Sequence, residues 1–179
     1  MDLDDVKLCA LFMRASGVTT EKEALLARVK KQAKLYDWQV QEVDEFCHQN
    51  ASTQEQARLQ LKTYLEQYYS ANKWKSDNTN YGRQFREVLW ALTIISYGGE
   101  ARSKIDIAII REFASTMKIR ESYLREFEDI AETERILAEQ RYWIEEARLL
   151  YEDGKAIDEQ ISKDEEYLRN GTYDLIMLG

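Results

Sequence analysis

Proline is absent from the 179 residues, and glycine occurs only seven times. Proline costs ~3 kcal/mol inside a helix and glycine ~1, so little in the composition interrupts long helices. Histidine occurs once, at His48. One imidazole excludes an HExxH zinc site, a histidine cluster and the paired Glu-x-x-His motifs of a di-iron bundle. The two cysteines, Cys9 and Cys47, lie 38 residues apart and match no metal-ligand spacing. Cys47 adjoins His48, but neighbouring helical residues diverge by about 100° and no third group orients the pair, which argues against a Cys–His nucleophile. Tyr97-Gly98-Gly99-Glu100 lacks the lysine and the strand of a phosphate loop. No catalytic residue and no cofactor is therefore expected. No apolar run approaches the ~20 residues of a membrane span. The acidic start, Met1-Asp2-Leu3-Asp4-Asp5, lacks the layout of a signal peptide, so the expected location is cytoplasmic.

What the chain does have is apolar content of 44%, enough for a core, and charged residues at 32%, enough for solvated helix faces. Thirty-three acidic against 25 basic residues give a formal charge of −8. Such a surface repels phosphate backbones, so nucleic acid is a poor partner. It suits a basic protein or divalent cations.

The order of apolar stretches repeats. Cys9-Ala10-Leu11-Phe12-Met13, running to Gly17, aligns with Trp90-Ala91-Leu92-Thr93-Ile94, running to Gly98, at an offset of 81. Val40, Val43 and Phe46 match Leu124, Phe127 and Ile130 at an offset of 84. The pattern predicts an all-α bundle of about eight to nine helices in two pseudo-repeats. The first module covers 1–72, with helices from about Leu3 to Ala15, Thr20 to Leu35, Asp37 to His48, and Ser52 to Asn72. Thr20-Glu21-Lys22-Glu23 and Ser52-Thr53-Gln54-Glu55 read as capping boxes. A polar linker follows over 73–82. The second module covers 83–153, with helices from Arg83 to Tyr97, from Ser103 to Met117, from Arg120 to Ile130, and from Thr133 to Asp153. A charged helix, broken off at Gly154 and ended by Asn170-Gly171, and an apolar tail complete the chain over 154–179. Whether the modules share one core is left open by the sequence.

Ala15-Ser16-Gly17-Val18-Thr19-Thr20-Glu21-Lys22-Glu23, set between two apolar helices, resembles the helix-turn-helix hallmark of the TerB-like (tellurite-resistance) family. Tyr36-Asp37-Trp38-Gln39 resembles that family's next junction. Tyr97-Gly98-Gly99-Glu100 with Ser103 to Asp106 is a looser second copy, and the similarity spans about 9–130. The resemblance implies an all-α, acidic, stress-linked protein whose turn carboxylates bind divalent cations. Here the turn aspartate is replaced by Ser16 and by Tyr97. Glu21 and Glu23 remain in one module, and Glu100 and Asp106 in the other. Two carboxylates per turn make at best a weak site, because Ca²⁺ takes ~6–8 oxygens.

Tyr64, Tyr68, Tyr69 and Trp74 cluster near the end of the fourth helix, with Tyr142, Trp143 and Tyr151 in its counterpart. Packing between long helices is the simpler reading, and a binding surface the second. The tail Tyr173-Asp174-Leu175-Ile176-Met177-Leu178 needs a cover. It folds back on its own bundle, pairs with a copy of itself, or docks on another protein. The resulting expectation is a non-enzymatic acidic interaction protein, with Tyr68, Tyr69, Trp74, Tyr173, Leu175, Ile176, Met177 and Leu178 as the partner-binding residues. The alternative is a divalent-cation-responsive regulator of the TerB-like type, and an enzyme of unknown class ranks third.

Overall fold

The first helix opens with a cap formed by its own acidic start. Asp2 accepts a hydrogen bond from the Asp5 backbone N–H, and the Asp5 carboxylate accepts one from the Asp2 N–H. In the computed structural model, which describes residues 1–76, 81–99, 102–147 and 151–178, eight helices follow in order and no strand occurs among the described residues. They are α1 (Leu3–Ser16), α2 (Thr20–Gln32), α3 (Asp37–Asn50), α4 (Gln54–Ser76), α5 (Gly82–Tyr97), α6 (Lys104–Thr116), α7 (Glu121–Ala147) and α8 (Tyr151–Leu178). The all-α expectation holds. None of the helices is long and apolar enough to cross a membrane, among the described residues.

The two apolar stretches of the sequence become the two central rods. Leu8, Leu11 and Phe12 of α1 and Leu89, Leu92 and Ile95 of α5 are fully buried. An apolar helix surface of this width must be covered all round. α1 packs on α2, α3, α4, α5 and α6, and α5 packs on α1, α2, α6, α7 and α8. A single hydrophobic cluster runs through both halves, from Val6 of α1 to Ala131 of α7. The question of one core or two is thus answered as one.

Several boundaries differ from the sequence reading, each for a local reason. The cap of α2 is Thr19, whose Oγ1 accepts from Lys22 N, and not Thr20. Thr53 caps α4 in the same way, accepting from Gln56 N, so neither expected capping box forms with its first hydroxyl. α4 runs on to Ser76 into the expected linker, while 77–80 lie outside the described residues. The expected third and fourth helices of the second half are one helix, α7. Thr133 does not cap there; its hydroxyl donates to Asp129 O one turn back, a bond that an unbroken helix accommodates. Gly154 and Asn170-Gly171 lie inside α8, so the apolar tail is the last two turns of a helix.

Candidate functional site

The two helix-turn-helix segments meet in space. Gly17 ends α1 with φ +93°, a conformation that L side chains rarely adopt. Gly98 ends α5 and presses against α2: an added Cβ would lie 2.8 Å from Leu25 Cδ1 and from Lys22 Cγ. Thr19 Oγ1 donates to Gly98 O at 2.6 Å, which ties the first turn to the second. Lys22 is buried here. Its Nζ donates to Ser16 Oγ at 2.9 Å, and burial lowers its pKa while the charge of Asp106 opposes that shift. Asp106 is also buried; desolvation raises its pKa against the Ser103 hydrogen bond and the charge of Lys22. At Tyr97, the Arg102 guanidinium lies 4.5 Å over the ring, and its Nη2 pairs with Glu128 at 2.9 Å. Ser16 and Tyr97, one at each turn, therefore each touch a cationic side chain of this same chain. Glu21 and Glu23 are exposed on the first turn of α2, and Glu100 lies outside the described residues. No group of three or more His, Cys, Asp or Glu side chains that could hold a metal occurs among the described residues.

A second polar cluster lies between α1, α4 and α5. Asp5 is fully buried. Its Oδ1 accepts from Tyr68 Oη at 2.6 Å and its Oδ2 from Gln84 Nε2 at 2.9 Å. Desolvation, helped by the nearby charge of Asp2, raises the Asp5 pKa to about 6 against these hydrogen bonds. The Cys9 thiol is buried and its pKa pushed well up, first by desolvation and then by Asp5. A thiol so held is a poor nucleophile. Cys47 is buried while His48 is exposed, so the two do not share a face.

The expected partner-binding residues separate into two groups. Tyr68 is a core residue engaged with Asp5, and the Tyr69 hydroxyl is buried without a hydrogen-bond partner. Tyr68 is off the surface and Tyr69 is half-buried, because α4 lies along α1 with its aromatic face turned to Phe113. Trp74 is exposed and meets Tyr81 edge-on at 5.2 Å. On α8, Tyr173 is exposed, whereas Leu175 and Ile176 pack against the core and Met177 is half-buried. Arg86 of α5 donates from Nε and Nη2 to Ile176 O at 3.1 and 2.8 Å, which holds the end of α8 on its own bundle. Leu178 is the last residue of α8.

A concavity lies between α7 and α8. It encloses about 530 Å³, within the ~300–1,000 Å³ of typical ligand clefts. Its apolar lining is Ile130, Leu168 and Leu175, and Tyr123 and Tyr167 stand beside them. Glu126, Asp129 and Asp174 supply three carboxylates, none of them in an ion pair with a described residue. Tyr167 is 78% exposed, the most open of the large hydrophobic side chains among the described residues. The sequence reading missed this groove except for Leu175. Its signal was present as helical spacing: Tyr123, Glu126 and Ile130 recur at three and four residues, as do Tyr167, Gly171 and Asp174. Splitting α7 and detaching the tail from α8 hid both faces.

No protein-family model, curated protein or solved structure gives a significant match.

Proposed function

We propose that the chain is a non-enzymatic, acidic interaction protein that docks a basic amphipathic segment of a protein partner in the α7/α8 groove. The observation that carries this reading is the pairing of an apolar floor with three carboxylates that no described cation neutralises. Complementary charge steers such a partner and fixes its register. An apolar helix face laid in a groove supplies affinity, and an open tyrosine beside it is a typical anchor. The buried, hydrogen-bonded polar clusters elsewhere serve packing and caps, so the groove is the better candidate for recognition. The TerB-like kinship and the ancestral doubling remain part of this proposal. They rest on the turn motif, on the offset of 81, and on the matching central places of α1 and α5.

The test is calorimetric titration with a helical lysine–leucine amphipathic peptide. Wild type is expected to bind saturably, and the variant Glu126→Lys/Asp129→Lys at least about tenfold more weakly, the size of a charge-assisted contact. Tyr167→Ala should weaken binding without changing helicity. Equal binding by all three proteins would overturn the reading.

A further inference from the structure

The opposite face of α8 lines a second cavity, of opposite electrostatic character. It encloses about 220 Å³ between α2, α5 and α8, less than the ~300–1,000 Å³ of drug-sized sites. Trp90, Ile176 and Met177 give it an apolar lining, and Trp90 is held in place against Phe127 at 5.4 Å. Arg28, Arg83 and Arg169 stand around it, one from each helix. Two of these are partly neutralised: Arg83 Nε pairs with Glu87 at 3.0 Å and Arg28 with Glu134 at 3.1 Å. Glu87 also takes the Met1 ammonium at 2.6 Å, so that carboxylate is shared between two cations. Arg169 has no ion-pair or hydrogen-bond partner among the described residues. The cavity is thus locally cationic in a chain of net charge −8. Arg28 and Arg83 serve those ion pairs, whereas Arg169 serves none among the described residues, and the separate origins of the three in α2, α5 and α8 make the convergence a property of the fold.

From this we infer that the cavity binds a small organic carboxylate with an apolar body, its chain against Trp90, Ile176 and Met177 and its carboxylate on Arg169. A guanidinium fork matches a carboxylate in geometry as well as charge. A concave site with low-dielectric walls focuses the positive potential on such an anion. The volume restricts the occupant to a short chain. This site is separate from the α7/α8 groove, because the two use different faces of α8 and share no lining residue.

The experiment titrates the full chain with octanoate, octylammonium and n-octanol by isothermal calorimetry at neutral pH. Octanoate is expected to bind one to one, and both the cation and the alcohol at least about tenfold more weakly. Arg169→Glu should cost a similar factor for octanoate. It should leave the unliganded melting temperature unchanged, since Arg169 is exposed and unpartnered. If Arg169→Glu loses helicity, Arg169→Gln carries the same comparison with the charge merely removed. The groove variant Glu126→Lys/Asp129→Lys should bind octanoate as wild type does, which keeps this inference separable from the docking proposal. No saturable binding of octanoate at millimolar concentration, equal binding of octylammonium, or unchanged binding by the folded Arg169 variants would overturn it.

Discussion

Asp5→Asn tests how a buried carboxylate shapes the stability of the bundle. Asp5 is fully buried and its pKa is raised from 3.8 to about 6. The folded protein therefore holds this proton more tightly than the unfolded chain. Stability falls as pH rises wherever the native state binds the extra proton, here between about pH 4 and pH 6. Below that window both states are protonated, and above it both are ionised. The shift of roughly two units, at 1.36 kcal/mol each, corresponds to about 3 kcal/mol lost across the window. Asparagine keeps one oxygen for the Asp2 N–H and Gln84 Nε2, but its amide faces Tyr68 Oη as a donor and leaves the tyrosine hydroxyl without its acceptor, a cost that does not vary with pH over this range. Urea unfolding of both proteins, followed by helical circular dichroism at several pH values, isolates Asp5 and its coupling to Asp2, because carboxylates away from the pair cancel in the difference. The variant should gain on wild type by up to about 3 kcal/mol between pH 4 and pH 7. A difference that stays flat with pH, or that turns against the variant as pH rises, would refute the reasoning.

Three further outcomes follow from the packing. Gly98→Ala should destabilise by about 1–3 kcal/mol, the usual cost of overpacking, because its Cβ would also lie 3.1 Å from the Lys22 backbone nitrogen; thermal unfolding measures this. Leu92→Ala should cost about 2–5 kcal/mol as a fully buried leucine, while Ile105→Ala, half exposed on α6, should cost less than about 0.5 kcal/mol. Millimolar Ca²⁺ should leave the melting temperature unchanged, because a ligand of the native state raises it in proportion to its binding, and Lys22 and Arg102 already stand at the turns; a shift of several degrees would revive the cation reading.

Much of the architecture was legible because it follows from local rules. The apolar stretches around Leu11 and Leu92 announced the two central helices, Gly17 and Gly98 their ends, and Ser103 the cap of α6. What escaped depends on contacts far apart in sequence. Asp5 reads as part of an acidic, solvated start, and only Tyr68 and Gln84, on two other helices, explain its burial. Thr133 carries a start signal and Asn170-Gly171 a stop signal that tertiary packing overrides: Leu137 follows Thr133 into the interior, and Leu175 and Ile176 follow Gly171 onto the core. The α7/α8 groove was hidden by the same two errors, since a groove between helices exists only once their continuity and pairing are known. Tyr68 follows the simpler of its two readings, packing between helices, and its place among the partner-binding residues does not fit its burial.

The docking claim is tested most directly by titrating isotopically labelled protein with the lysine–leucine peptide and mapping the amide shifts. The account predicts that the largest changes fall on Tyr123, Asp129, Ile130, Tyr167, Leu168 and Leu175, on the facing sides of α7 and α8. Saturable binding whose shifts cluster elsewhere, with these residues unmoved, would contradict it.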